Sequence, residues 1–333
     1  DTVKAIGMEL CPELDIAIPV GKDSMSMKTV WQEEGQEKAV TSPLSLIITG
    51  VTPVTDVTKT LTPELQTDQD DTVLLLVDLG LGQQRLGGSA LAQVYNQLGD
   101  ESPDLDNVLA LKDFFKGMQV CHQNGYVLAY HDRSDGGLFA CCSEMAFAGH
   151  TGITIDLTAL GGSDVTALFN EELGVVLQVS AENEPAVKAA MGETLSQHIH
   201  NIGTVSKNDQ ISFEQNGEVV LTASRTELWR YWSATSYQIQ SLRDNPRCAQ
   251  QAYDAQLDIR DPGMVPKVGF SVAAPQINTG AKPKMAILRE QGVNGQLEMA
   301  AAFDRAGFDC IDVHMSDLIE NRIQLAEFKG LVA

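Results

Sequence analysis

Basic residues are scarce in this chain of 333 residues: Lys plus Arg number 23 against 45 Asp plus Glu, a net charge of −22. The shortage argues against a general nucleic-acid surface, which needs cationic side chains to displace counterions from phosphate, and against an anionic membrane surface. Cysteines are few, six in all (Cys11, Cys121, Cys141, Cys142, Cys248, Cys310), with no CxxC pair and mostly apolar neighbours. They read as buried thiols of a reducing cytosol, not as disulfides or a zinc site. No apolar run is long enough to span a bilayer, and no signal peptide precedes Asp1 in what is visible, so a cytoplasmic protein is expected. What is present is ordinary globular material, 43% hydrophobic, at a length that suggests about two domains as a prior. The start at Asp1 and the stop at Leu331-Val-Ala333, within an apolar stretch, are expected to be cut ends of a longer protein.

The richest stretch is Tyr126-Val-Leu-Ala-Tyr-His-Asp-Arg-Ser-Asp-Gly-Gly-Leu138 and the apolar residues after it. Tyr126 to Tyr130 is short, apolar and bounded by polar residues, as a buried strand is. Leu138, Cys142, Met145 and Ala146 recur at helical spacing, which predicts a helix over 138–147. Between them lie His131, Asp132, Arg133, Ser134, Asp135, Gly136 and Gly137. Glycines let the backbone approach a ligand, and a helix start offers free N–H groups and partial positive charge that suit phosphate. Asp132 and Asp135 repel phosphate unless a divalent cation bridges them. The junction therefore suggests a metal–nucleotide site. The same pattern also fits a merely capped helix, with Ser134 or Asp135 as N-cap.

Upstream, Asp1 to Leu14 has a mostly helical pattern expected to stop at Cys11-Pro12. Ile16 to Val20 reads as a strand entering Gly21-Lys-Asp-Ser-Met-Ser-Met27. Lys22, Asp23 and Ser24 form either a ligand loop or a solvated turn. The stretch is no P-loop, since it lacks the upstream glycine and the helix. Residues 28–31, 33–38 and 43–53 read as strand, polar turn and strand, with Ser45-Leu-Ile-Ile-Thr-Gly-Val51 strong in strand composition. The polar span 55–71 is a candidate boundary. A continuous apolar strand, 72–78, then leads through Gly87-Gly-Ser89 into helix 90–98. Helix 105–123, strand 153–157, a turn or short helix entering a strand over 167–179, helix 185–197 and strand 199–205 follow. Glu171 and Glu172 read as a solvated pair at a strand entrance rather than as ligand groups. Ile211 to Thr222 is a hairpin about Asn216-Gly217, and 226–244 a helix whose Trp229, Trp232 and Tyr237 read as packing. A polar linker spans 251–283. Strand 285–288, helix 296–306, strand 308–313 and a further strand from 328 alternate as in a parallel α/β sheet.

Four motifs together resemble one family: Ile18-Pro-Val-Gly-Lys-Asp-Ser-Met-Ser-Met27, Leu128-Ala-Tyr-His-Asp-Arg-Ser-Asp-Gly-Gly-Leu138, Leu168-Phe-Asn-Glu-Glu-Leu-Gly174, and Lys284-Met-Ala-Ile-Leu-Arg-Glu-Gln-Gly-Val-Asn294 followed by Glu298-Met-Ala-Ala-Ala-Phe303. They are similar to the large single-chain bacterial form of formylglycinamide ribonucleotide amidotransferase (phosphoribosylformylglycinamidine synthase). The resemblance covers essentially the whole chain. It implies an α/β protein with α+β synthetase layers of the aminoimidazole-ribonucleotide-synthetase-like kind, followed by the start of a parallel α/β class I glutaminase. The implied divisions are 1–60, the end of a first synthetase-like layer; 61–225, its C-terminal domain; 226–282, a helix and linker; and 283–333, the glutaminase start.

The resemblance further implies an ATP- and glutamine-dependent ligase of purine biosynthesis. Its substrates are formylglycinamide ribonucleotide, ATP and glutamine. ATP activates the amide oxygen, and ammonia released from glutamine displaces phosphate. Neither a nucleic-acid nor a membrane partner is expected. This portion of the family holds an auxiliary ATP or ADP with Mg²⁺. By position Asp132 would be a metal carboxylate and Ser134 a nucleotide contact, with Gly136, Gly137 and the Lys22–Asp23–Ser24 loop as further candidates. The glutaminase Cys, His and Glu are expected beyond Ala333, and Cys310, inside a predicted strand, does not match the nucleophile. The alternative is a non-catalytic nucleotide-binding or domain-docking segment. A stand-alone synthase working with a separate glutaminase is disfavoured by the unit fused at 283–333.

Overall fold

The computed structural model describes residues 2–19, 21–22, 27–42, 45–261, 264–271, 280–290 and 292–333. Asp23 and Ser24 lie outside the described residues. The chain forms two compact units, Asp1–Asp261 and Pro262–Ala333.

The first unit is built on one sheet. Strand β3 (Thr72–Asp78) lies between β6 (Gly174–Ser180) and β7 (Ile199–Ser206), antiparallel to both. Strands β4 (Val127–Asp132), β5 (Gly152–Asp156), β8 (Gln210–Gln215) and β9 (Glu218–Ser224) complete the order β4-β6-β3-β7-β5-β8-β9. Only β5 and β8 pair in parallel among these neighbours.

Both faces of the sheet are covered, which explains why β3 reads as an unbroken apolar run. Its alternate residues serve opposite cores. Leu74 and Leu76 join Val176, Ile153, Ile155 and Phe213 beneath Leu138, Cys142 and Met145 of the helix Gly137–Gly149. Leu75 and Val77 join Val175, Leu177 and Val179 on the other face. There they meet Met118 and Cys121 of the helix Val108–Asn124 and Val187, Met191 and Leu195 of a later helical pair.

Several expectations are corrected. The N-terminal helix does not stop at Cys11-Pro12: Lys4–Leu10 is helical with wide turns, and Cys11–Glu13 continues it. Strands β1 (Lys28–Glu33) and β2 (Gln36–Thr41) form an isolated antiparallel hairpin. The described residues of 16–20 and the run Ser45–Val51 form no strand. A strand needs a hydrogen-bonded neighbour, and among the described residues none lies beside either run. Helix 90–98 shortens to Ala90–Val94, capped by the Ser89 hydroxyl, which accepts from the Ala92 N–H at 3.2 Å. Helix 185–197 breaks into Glu184–Ala190 and Gly192–Ser196 around Gly192, whose φ is +76°. The hairpin turn has left-handed Asn216 and Gly217, as a type I′ turn requires. Asn245-Pro246 ends the helix Arg225–Arg243 and also starts the unforeseen helix Pro246–Ala255. The Asn245 side chain accepts from the N–H groups of Arg247 and Cys248, and proline suits the first helical turn.

The second unit holds β10 (Lys284–Arg289), which pairs in parallel with β11 (Asp309–His314) and β12 (Gly330–Val332). The helix Gln296–Arg305 forms the crossover between β10 and β11, so the predicted parallel α/β alternation is present. A short helix, Met315–Ile319, follows β11. Among the described residues no helix is long and apolar enough to cross a membrane.

Candidate functional site at the β4–helix junction

The junction is fixed by one buried cation. Strand β4 ends at Asp132, and Arg133 turns inward. Its guanidinium donates to Asp78 Oδ1 at 2.6 Å, to the Glu172 carbonyl at 2.6 Å and to the Leu173 carbonyl at 2.9 Å. The backbone N–H of Arg133 donates to the Gly174 carbonyl at 2.8 Å. One arginine thus ties the ends of β3, β4 and β6 together. Its flanking residues, Asp132 and Ser134, are thrown outward and are exposed.

The mouth of the following helix is not capped by Ser134 or Asp135. The N-cap is Gly136, left-handed at φ +82°, with no side-chain cap of its own. The Glu171 carboxylate supplies the anion instead. Its Oε1 accepts from the N–H of Gly136 at 2.8 Å and from that of Ala90 at 2.8 Å, the start of a second helix. Gly137 is also left-handed, φ +66°, and a Cβ there would lie 2.6 Å from the carbonyl oxygens of Leu168 and Asn170. Glycine is needed here for close packing of helix against loop, on top of its backbone freedom.

The reading of Glu171 and Glu172 as a solvated pair is overturned. Glu172 is 0% exposed and makes a two-pronged ion pair with Arg85, Nε to Oε1 at 2.7 Å and Nη2 to Oε2 at 2.8 Å. Arg85 reaches on to Asp106 Oδ2 at 2.8 Å. The Glu172 carboxylate first, and Asp106 with it, raise the Arg85 pKa further above its usual value. The acidic residues of this motif are structural staples. Sequence reading missed them because the partners are distant: Arg85 is 87 residues from Glu172, and the Gly136 and Ala90 amides are 35 and 81 residues from Glu171.

The outer residues keep chemical capacity. Tyr130 Oη donates to Asp132 Oδ1 at 2.7 Å, and burial together with this bond raises the phenol above its ordinary value. A carboxylate has about four acceptor sites, so Asp132 retains room for a hard cation. His131 Nε2 lies 2.8 Å from Glu144 Oε2, and Trp232 Nε1 donates to the other Glu144 oxygen at 2.8 Å. The Cys141 sulfur and the Glu144 carboxylate raise His131 to about 10. Burial raises the Cys141 thiol to about 11, so at neutral pH the carboxylate is the charged partner that holds the imidazolium. Lys22 is exposed, and neither it nor Asp132 nor Ser134 lines the cavity bordered by His150 and Thr151 or the one bordered by Asp78 and His200. Cys310 lies within β11 with its sulfur directed to the Ala300 carbonyl at 3.4 Å, so it is a strand residue and not an elbow.

Comparison with known families gives three matches in chain order: the FGAR-AT PurM_N-like domain over residues 1–53, the C-terminal domain of AIR synthase related proteins over 69–215, and the CobB/CobQ-like glutamine amidotransferase domain over 282–333. Each match covers less than half of the chain, and together they indicate the domain order of an FGAR amidotransferase. Six of the seven strands of the large sheet, all but β9, and its two helical coverings fall within the AIR-synthase-related match, and the parallel three-stranded sheet within the amidotransferase match. Among solved structures, Thermotoga maritima PurL complexed with FGAR is 13% identical with a TM-score of 0.43, covering 58% of this chain and 30% of that one. The same enzyme complexed with ATP is 12% identical with a TM-score of 0.40, covering 58% and 28%. The hydrogenase maturation protein HypE in complex with ATP is 16% identical with a TM-score of 0.33, covering 47% and 51%. The chain spans less than a third of the length of these two Thermotoga structures.

Proposed function

We propose that this chain is part of a phosphoribosylformylglycinamidine synthase, a ligase that uses ATP and glutamine to convert formylglycinamide ribonucleotide to its amidine, and that Asp132 and Ser134 belong to a magnesium–nucleotide site of that enzyme. The observation that carries the reading is the succession of three matched domains, synthetase-like, AIR-synthase-related and glutamine amidotransferase, in one chain. The proposed divisions are 1–60, 61–225, 226–282 and 283–333. Within the second, the Arg133 anchor supports the site reading, because it fixes the backbone from which Asp132 and Ser134 project. Asp132 suits Mg²⁺ as one carboxylate of an oxygen shell otherwise filled by phosphates and water. Magnesium bound there would neutralise phosphate charge.

The remaining roles belong to the chain itself. Tyr130 holds one oxygen of Asp132 and leaves the other free. Gly136 and Gly137 set the path of the backbone past Ser134. Glu171 already satisfies the Gly136 N–H, so phosphate is expected to contact Ser134 and the metal rather than that amide. Lys22, with Asp23 and Ser24, is proposed as a second ligand loop. No glutaminase nucleophile is assigned among the six cysteines, and the chain alone is expected to lack synthase and glutaminase turnover. The test is calorimetry with ADP and Mg²⁺: a heat of binding that needs Mg²⁺ and that weakens at least tenfold in Asp132→Ala supports the site. Binding indifferent to both Mg²⁺ and Asp132 counts against it. Glutamine hydrolysis by the chain alone would overturn the assignment of the nucleophile elsewhere.

A further inference from the structure

The geometry points to a binding site for a borderline divalent transition ion, zinc foremost, formed by Asp78, His198 and His200. This site is separate from the β4–helix junction's outer face and does not depend on the nucleotide reading. It follows from strand pairing. β3 and β7 run antiparallel with Leu76 opposite His200 and Val77 opposite Ile199, and the Asp78 N–H donates to the His198 carbonyl at 2.9 Å. Side chains alternate along strands, so Asp78, His198 and His200 share the face of Leu76, while Val77 and Ile199 enter the opposite core. One ligand atom from each of the three lies within 4.8 Å of the other two.

The three residues line a cavity of about 260 Å³, together with Gln84, Asn170 and Gln197. Asp78 is buried, and the two imidazoles are half-buried. Asp78 Oδ1 accepts from Arg133 at 2.6 Å and from the Gly80 N–H at 3.2 Å, and Oδ2 from the Gly82 N–H at 2.8 Å. Of the four lone-pair positions of a carboxylate, one on Oδ2 therefore remains. Among the described residues neither imidazole makes a side-chain hydrogen bond, although both rings border a polar cavity.

Donor chemistry selects the ion. Two imidazoles and a carboxylate suit zinc and its neighbours, whereas magnesium and calcium take all-oxygen shells. The Arg133 charge beside Asp78 opposes any cation held by charge alone, and so favours an ion bound through imidazole nitrogen. A tetrahedral zinc with bonds of about 2.0–2.1 Å holds its ligands about 3.4 Å apart, a spacing compatible with the three ligand atoms lying within 4.8 Å of one another. Water or a cavity group would supply the fourth ligand.

The experiment uses the whole chain, stripped with a chelator and titrated with zinc alone in competition with a chromophoric chelator. Cobalt(II) absorption reports the coordination number. One zinc per chain is expected, with affinity falling at least about tenfold in His198→Gln and in His200→Gln and unchanged in His122→Gln. Far-UV circular dichroism confirms that each variant is folded, and the Gln side chains keep most of the volume of the rings they replace. Single variants that bind zinc as tightly as the parent chain would overturn the site. So would a parent chain that takes up no more zinc than the His198→Gln, His200→Gln double variant.

Discussion

Ser45–Val51 and Thr72–Asp78 are similar in composition, each rich in β-branched and aliphatic residues, yet Ile47 and Val51 are 89% and 94% exposed while Leu75 is 0% exposed. The difference is in the neighbours. β3 has β6 and β7 on its two edges and a helical layer on each face. The earlier run has no ladder partner among the described residues. Apolar composition thus marks a segment as able to be a strand, and pairing decides whether it is one. The same contrast holds for charge. Arg133–Asp78 is buried and ties three strand ends together, whereas Lys38–Glu33, at 3.2 Å on the isolated hairpin, stays half-exposed.

Breaking the buried pair should give the largest effect. Arg133→Ala leaves Asp78 buried and unpaired and is expected to cost about 3–5 kcal/mol in urea unfolding. Lys38→Ala should cost less than about 1 kcal/mol. Similar losses for both would mean that burial does not separate the two regions. Next, Leu75→Ala should cost about 2–5 kcal/mol, and Ile47→Ala should stay within about 0.5 kcal/mol. A large loss for Ile47 would show that its run is packed after all. Gly137→Ala is expected to cost about 2–3 kcal/mol, from a left-handed φ and a Cβ pressed on two carbonyls.

The smallest effect is expected at His131–Glu144, about 1 kcal/mol for Glu144→Gln, since both side chains are partly exposed. Its pH dependence carries the sign. His131 is raised in the folded state, so its contribution is complete below the ordinary histidine value near 6.5 and is lost as pH rises toward about 10. Glu144 is lowered, by His131 first and then by Trp232, so its share is present above the ordinary glutamate value of 4.5 and is lost as pH falls through its folded value. The difference between parent and variant stability should therefore be greatest between about pH 4.5 and 6.5 and shrink toward 10. A difference that grows with pH would contradict the pair.

Much of this was legible in the sequence because it is local. The periodicity of Thr72–Asp78, the Asn216-Gly217 turn and the strand–junction–helix around Asp132 all depend on neighbours in the chain. The staple role of Glu172 and the grouping of Asp78 with His198 and His200 depend on which strands pair, across separations that periodicity does not encode. The N-cap at Gly136 was missed for the same reason. The expected Ser134 or Asp135 is replaced by a carboxylate, Glu171, from a distant loop.

The most direct measurement of the proposed nucleotide site is the amide spectrum of the labelled chain titrated with Mg²⁺ and ADP. Shifts centred on residues 132–137, absent when Mg²⁺ is withheld and lost in Asp132→Ala, are the expected result. Shifts centred elsewhere, or an unchanged response in Asp132→Ala, would contradict a magnesium–nucleotide site at the end of β4.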